Sequence, residues 1–370
     1  MRILIPVLNF GRSGGDRVLS KIADELIYLG HSVDFMSSER SSEPYFPTTA
    51  SIKWVNDKGE IVENNLVASS AKDSAISIQH KLTKALKKLP KDSYDVIIAN
   101  HSLTTLPIKK AGLTHKTIYY VQGYEPDFFK LLGGIKNRIL TYFSEKSYKM
   151  NLFTVVNSDN YFGYKKLKSS RVLYPGVDFN HFYPKEKKNT FENSNKIIIG
   201  TIGRTMPYKG TQYIIEAFKI LKKKYPYIEL HLAFSDPKDF EICDGISYFK
   251  PNGDESLGKF YQSLDYYICA VYIQSGAFHY PIVEAMSCGV SIITTSYYPA
   301  NETNAWITIP QKAEDIVKQF ELAQNDPDLK EKKIKQALKD VKQFAWPKVG
   351  EKFNHYLNEF INLKNNKLLL

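Results

Sequence analysis

The chain has 370 residues, 43% of them hydrophobic and 24% charged, which suits two globular domains with their own cores and excludes a disordered or fibrous protein. No run approaches eighteen apolar residues, and the opening Met1-Arg2-Ile3-Leu4-Ile5-Pro6-Val7 has too short an apolar run for a signal peptide. A membrane span is therefore not expected, and a cytoplasmic location is. The formal charge of +11 is uneven, since residues 1–180 hold 25 of the 50 Lys and Arg but only 17 of the 39 Asp and Glu.

The first half alternates short β-branched runs with longer amphipathic segments, the pattern of strands joined by crossover helices in a parallel sheet. Strands are predicted near 2–7, 32–36, 94–99, 117–121, 153–157 and 171–174. Between the first two, Val18, Ile22, Leu26 and Ile27 recur at helical spacing, and Gly30 supplies the stop. From Pro184 to Asn195 the chain is polar and aperiodic, as a linker would be. A second alternating series begins at Lys196, with strands near 228–234, 246–250, 266–270 and 290–295 and helices at 211–224 and 281–288. Helical stretches follow at 312–325 and 328–365, the latter expected to break or kink at Pro347. The predicted class is α/β, with two doubly wound Rossmann-like domains, 1–184 and 185–346, the first completed by a C-terminal helix from 347 to 370. Ligands of open α/β sheets bind beyond strand C-terminal ends, so the two domains are expected to face each other across a cleft that holds the site.

Three loops carry chemistry. Asn9-Phe10-Gly11-Arg12-Ser13-Gly14-Gly15-Asp16-Arg17 follows the first strand and leads into a helix, whose N-terminus offers N–H groups to an anion. Its spacing matches neither the nicotinamide fingerprint nor a P-loop, and a tight turn without ligand explains it as well. Gly200-Thr201-Ile202-Gly203-Arg204-Thr205-Met206-Pro207-Tyr208-Lys209-Gly210 also precedes a helix. Arg204 and Lys209 can clamp a diphosphate there, Arg through forked hydrogen bonds and Lys as a point charge; the bland alternative is two solvated charges. In the third, Ser275 to Val290, Pro281 suits a first helical position and Gly289 a C-cap. Glu284 then lies in the first turn of an apolar helix, where either a ribose diol or a dipole-favoured cap accounts for it. Cys243, Cys269 and Cys288 lack metal or redox spacing and read as packing residues.

In this order and spacing, the Gly14-Gly15 loop, Tyr174-Pro175-Gly176-Val177-Asp178, Arg204 with Lys209-Gly210, and Glu284-Ala285-Met286-Ser287-Cys288-Gly289 resemble the GT-B glycosyltransferases. In detail the chain is similar to the large retaining family 4, the group 1 glycosyl transferases, over most of its length. The resemblance implies that Arg204 and Lys209, next to Gly203, hold a nucleotide diphosphate and stabilise its departure. Glu284 would hold the ribose hydroxyls, and the stretch Gly276, Phe278, His279, Tyr280 and Ile282 the phosphates. Gly14 and Gly15 would face the donor from the other domain. It implies no metal and no cofactor beyond the nucleotide-sugar substrate, and retained anomeric configuration. Two positions depart from the family. Members commonly carry a second glutamate where this chain has Gly276, which leaves His279 or Gln274 to serve the sugar, an unusual donor, or lost activity. Members often carry a histidine where this chain has Gln122, which donates a hydrogen bond but is no acid or base. The run Tyr120-Val121-Gln122-Gly123-Tyr124-Glu125 looks like a rhamnosyltransferase-like subgroup, and Gln122 and Glu125 join His101 as residues on the acceptor or sugar side.

Lys81, Lys84 and Lys88 fall on one helical face and suggest an anionic membrane surface as a partner, against the reading of a solvated face; no nucleic-acid motif accompanies the charge. The expected protein is a cytoplasmic or peripheral enzyme that passes a sugar from a nucleotide donor to a glycan or lipid-linked acceptor in bacterial surface polysaccharide synthesis. The alternatives are a non-catalytic scaffold of the same fold, or a nucleotide-sugar epimerase or hydrolase.

Overall fold

A computed structural model describes residues 1–66, 73–164, 166–185, 196–240, 243–272 and 278–366. The chain divides into two compact units, one made of residues 1–176 with the C-terminal helix from 346, the other of residues 177–345. Gly276 and Gln274 lie outside the described residues, as does most of the polar tract 184–195.

The first unit runs through β1 (Arg2–Pro6), α1 (Gly14–Tyr28), β2 (Ser32–Ser38), β3 (Ser51–Val55), β4 (Ile61–Val62), α2 (Ala75–Lys88), β5 (Val96–Ala99), α3 (Ser102–Lys110), β6 (Thr117–Val121), α4 (Glu125–Leu132), α5 (Gly134–Ser147) and β7 (Phe153–Val156). Its sheet has the order β4-β3-β2-β1-β5-β6-β7, parallel except for the β3–β4 pair. The strands are buried on both faces, as parallel strands covered by helices must be: Ile3, Leu4, Ile5, Ile98, Ile118 and Val155 are fully buried. The predicted strand at 171–174 is a single bridge, Val172 against Val156, because Pro175 follows at once and removes the next donor. The edge strand β4 and its neighbour β3 escaped the sequence reading.

The second unit contains β8 (Ile197–Ile202), α6 (Thr211–Lys224), β9 (Ile228–Ala233), β10 (Ile246–Phe249), α7 (Gly253–Gln262), β11 (Tyr266–Cys269), α8 (Tyr280–Ser287), β12 (Ser291–Thr294), β13 (Trp306–Ile307), α9 (Ala313–Asn325) and α10 (Pro327–Asp340). All pairings in the order β10-β9-β8-β11-β12-β13 are parallel. Counted within the unit this is 3-2-1-4-5-6, the Rossmann order, whose direction reverses between β8 and β11. In the first unit the reversal lies between β1 and β5.

The unit boundary falls at 176/177 rather than at 184/185. Val177 N–H donates to Phe344 O at 2.7 Å, and Phe182 is fully buried against Tyr261, so residues 177–182 pack with the second unit before the polar tract begins. Pro347 does not kink a helix. It is the second residue of α11 (Trp346–Asn365), where its missing N–H costs nothing. That helix returns to the first unit, burying Val349, Phe353, Leu357 and Phe360, with Arg171 forked onto the Glu359 carboxylate.

Candidate functional site

In the second unit the switch point brings the end of β8 beside the end of β11, and each carries a loop predicted to matter. Gly203 N–H donates to Ala233 O at 2.9 Å, and a side chain at 203 would meet Ser235 Oγ at 1.8 Å. Arg204 N–H donates to Thr211 Oγ1 at 3.0 Å, which ties the loop to the first residue of α6. Gly210 closes the turn with φ of +73°. A Cβ there would lie 2.1 Å from Ala270 O, just past β11, so this glycine serves both a left-handed conformation and a close approach. Arg204 is exposed, with its guanidinium 5.3 Å from the centre of the Phe234 ring. Lys209 is half-buried; burial lowers its pKa, the Cys269 thiol partly opposes this, and the Arg204 charge lowers it further.

His279 stands at the N-cap of α8, with Nε2 3.7 Å from Cys269 Sγ and no hydrogen-bond partner for Nδ1 among the described residues. Burial first, and then the charge of Lys209, push its pKa down to about 3, so the ring is neutral near pH 7. Burial raises the pKa of Cys269, keeping it a thiol. With Nε2 facing the thiol, Nδ1 is the ring nitrogen left without a partner among the described residues, beside the charge of Lys209. Cationic loop, neutral histidine and the positive end of α8 together favour an anion.

Other predicted residues are placed differently. The α8 helix starts at Tyr280, one residue earlier than expected, so Glu284 lies in its second turn and cannot act as a dipole-favoured cap. Glu284 is 3% exposed and accepts a hydrogen bond from Tyr261 OH at 3.1 Å. Burial and then its charge push the Cys288 thiol up to about 12. Phe278 packs edge-on against Phe344, and Ile282 is fully buried, so both serve the packing of this loop and helix.

In the first unit, Ser13 caps α1 and Asp16 closes a capping box, its carboxylate accepting from Ser13 Oγ at 2.6 Å. The Asp16 carboxylate thus takes up the Ser13 N–H and hydroxyl at this helix end. Gly15 earns its place otherwise: a Cβ there would sit 3.4 Å from Gln122 Oε1, so the β1 and β6 loops meet through these two residues. Asn100 Nδ2 donates to Pro6 O at 2.7 Å across the strand-order reversal. His101 caps α3, its Nδ1 accepting from Leu103 N–H at 3.0 Å, and lies 3.8 Å from Glu125. Glu125 is a support for this edge: it accepts from Ser102 N–H at 3.0 Å and from Tyr148 OH. Asn157 was missed. Its Nδ2 donates to Gln122 O at 2.6 Å, while its buried Oδ1 has no partner among the described residues. The rule that drew attention to His101, a polar residue just past a strand, applies equally to Asn157 after β7.

The lysine face proposed for a membrane is not a free face. Lys81 is 2% exposed and pairs with Asp73 and Asp57, while Lys84 and Lys88 donate to Asp57 O and Lys58 O in the turn between β3 and β4. Among the described residues, no three His, Cys, Asp or Glu side chains converge in a way that could hold a metal ion.

The model of the family described as Glycosyl transferases group 1 matches residues 182–340, nearly the whole second unit. Those residues carry the pattern of the group 1 glycosyltransferases. Over 339 residues the chain is 23% identical to an uncharacterized glycosyltransferase of Haemophilus influenzae, covering 87% of this chain and 90% of that one. Among solved structures it is similar to sucrose-phosphate synthase from Thermosynechococcus elongatus, with a TM-score of 0.72 at 16% identity over 98% of this chain and 99% of that one. It is similar too to Anabaena HepE in complex with UDP-glucose, at 0.68 and 14% over 97% and 100%. A third likeness is to WaaG, a glycosyltransferase involved in lipopolysaccharide biosynthesis, at 0.70 and 15% over 96% and 99%. These likenesses show the fold, GT-B, as the motifs led one to expect. In the second unit, Arg204, Lys209 and His279 lie at the switch point of its sheet; in the first, Gly15, Gln122, Asn157, His101 and Glu125 lie at the strand ends of its own sheet.

Proposed function

We propose that the chain is a retaining glycosyltransferase that moves a sugar from a nucleoside-diphosphate donor to a glycan or lipid-linked acceptor in the synthesis of a bacterial surface polysaccharide. One observation carries this reading. Two cations and a neutral, buried histidine gather at the C-terminal ends of β8 and β11, and Lys209 is held where burial and Arg204 disfavour its own charge. A pyrophosphate relieves that penalty, and the same charges stabilise it as a leaving group. HepE, of the same fold, is solved with UDP-glucose, and WaaG is named for lipopolysaccharide synthesis; both agree with a nucleotide donor and a surface glycan.

In the proposed reaction the bond between the anomeric carbon and the diphosphate oxygen breaks, and a bond from that carbon to the acceptor oxygen forms on the same face. The acceptor proton passes to the departing phosphate. Arg204 forks onto the diphosphate, Lys209 adds a point charge, and His279 donates through Nδ1. No metal is needed for this assignment of charges. Gln122, held by Asn157 and packed over Gly15, donates to a sugar hydroxyl without proton transfer.

The test is a panel of nucleotide sugars with the full chain, read by thermal shift and by release of free nucleotide. One donor should raise the melting temperature by mass action and release nucleotide when an acceptor is added. Stabilisation without release under any acceptor identifies a binding scaffold instead, and release with no acceptor a hydrolase.

A further inference from the structure

The helical pair α4 and α5 in the first unit is built inside out. On α5, Ser144 and Ser147 are buried, with Ser144 Oγ donating to Ser102 Oγ on α3 at 2.8 Å. The bulky apolar residues face the other way. Ile135, Ile139, Tyr142 and Phe143 follow the i, i+4, i+7, i+8 spacing of a single helical stripe and are all exposed, Ile135 at 78%. On α4, Phe128, Leu131 and Leu132 continue the apolar surface, each more than half exposed. An ordinary surface helix turns such a stripe to the core; here small polar residues take the core side.

Cations border this stripe. At 100° per residue, Arg138 and Lys136 fall on opposite flanks of it and Lys146 within it, with the Lys146 ammonium 4.2 Å from the Tyr142 ring centre. Among the described residues, no carboxylate lies within ion-pair distance of Lys136, Arg138, Lys146 or Lys149, whereas Glu145, on the Arg138 flank, is already paired with Lys130 and Lys166. Exposed apolar residues flanked by cations are the arrangement of a helix lying in the plane of a membrane interface. No described helix is long and apolar enough to cross a membrane.

We infer that α4 and α5 dock on the surface of a bilayer containing anionic lipid, the apolar stripe entering among the acyl chains and the cations meeting the headgroups. A second copy of the chain is a poorer occupant, since a symmetric contact sets Lys136 and Arg138 against their own counterparts. The patch begins at Glu125, which braces His101 and α3, and three residues after Gln122. Docking there holds the Gln122 edge of the first unit near the headgroups, where a lipid-linked acceptor presents its sugar. This inference stands apart from the donor chemistry and is tested without a donor.

The full chain is sedimented with vesicles of phosphatidylcholine and with vesicles of phosphatidylcholine and phosphatidylglycerol. Binding is expected to the second kind, weakening at least about tenfold in the first and in high salt. Each cation near such a surface is worth about fivefold, so Lys136→Glu with Arg138→Glu should lower binding by more than about tenfold. Ile135→Ser, Ile139→Ser and Phe143→Ser together should lower it at least as much. These exposed changes should leave the thermal transition and nucleotide release with a soluble acceptor unaltered. No binding of the unmodified chain to anionic vesicles, or undiminished binding of both variants, overturns the inference. So does a dimer in the absence of vesicles that the triple variant converts to a monomer, since the patch would then cover a second copy.

Discussion

Lys81 and Lys209 are two lysines drawn away from water, one in each unit, and they are held in opposite ways. The Lys81 ammonium lies 2.8 Å from Asp73 and 2.9 Å from Asp57, with Ser38 Oγ at 3.2 Å. Burial opposes ionisation of Asp73, but hydrogen bonds from Lys81, Ser38 and Ser77 outweigh it and hold that carboxyl at about 2. Lys209 is desolvated too, and there the Arg204 charge lowers its pKa further. Burial of a lysine is therefore no guide to its role. Carboxylates around Lys81 tie it into the fold, whereas the cation beside Lys209 suits the anion site proposed there.

Breaking the closed cluster should have the largest effect. Lys81→Met leaves Asp73 with no ammonium and is expected to cost about 3–5 kcal/mol in denaturant unfolding, with donor turnover per folded molecule preserved. An unmoved midpoint would show that the cluster is not structural. In the other unit the effects should be reversed. Arg204→Ala or Lys209→Ala is expected to lower turnover at least about tenfold, and removal of the exposed Arg204 to shift stability by no more than about 0.5 kcal/mol. Near-normal nucleotide release by both variants would defeat the assignment of the site.

The pH dependence of stability sharpens the contrast. The folded pKa of His279, about 3, lies below its ordinary 6.5, so between these values the unfolded chain binds more protons. Stability contributed by the neutral ring is complete above pH 6.5 and is lost as pH falls toward 3, by up to about 1.4 kcal/mol per unit. In His279→Asn the acid-side slope should flatten, measured as unfolding free energy at a series of pH values; an identical slope would show that burial does not hold the ring neutral. The smallest effect concerns the nucleotide. Its affinity should decline on the alkaline side as Lys209, with a pKa below the ordinary lysine range, loses its proton. Lys209→Arg should abolish that decline, as titration calorimetry would report, and a decline that persists would assign it to another group.

Strongly periodic elements were legible from sequence. The stretch 211–224 is the observed α6, and the predicted strands at 228–234 and 266–270 match β9 and β11 to within a residue. The short strands β3, with Ser51 and Lys53, and β13, a two-residue edge strand, were not legible because partial burial and mixed polarity hide the pattern. The membrane face illustrates another limit. A helical wheel groups Lys81, Lys84 and Lys88 correctly, but it cannot show that the Asp57–Glu60 turn lies over them. The inside-out stripe of α5 was missed because a wheel reports an apolar face without saying whether it turns inward.

Local spacing determined that strands and helices alternate, that glycine-bearing loops follow β1 and β8, and which cations those loops carry. Only the tertiary structure decided which loops meet. Placing β11 beside β8 set Cys269 and His279 near Lys209, and the strand-order reversal in the first unit set Asn100 against the end of β1. The reason is physical: periodicity records which side of an element is buried, a property of neighbouring residues, whereas strand order follows from contacts between distant segments that leave no mark on local pattern.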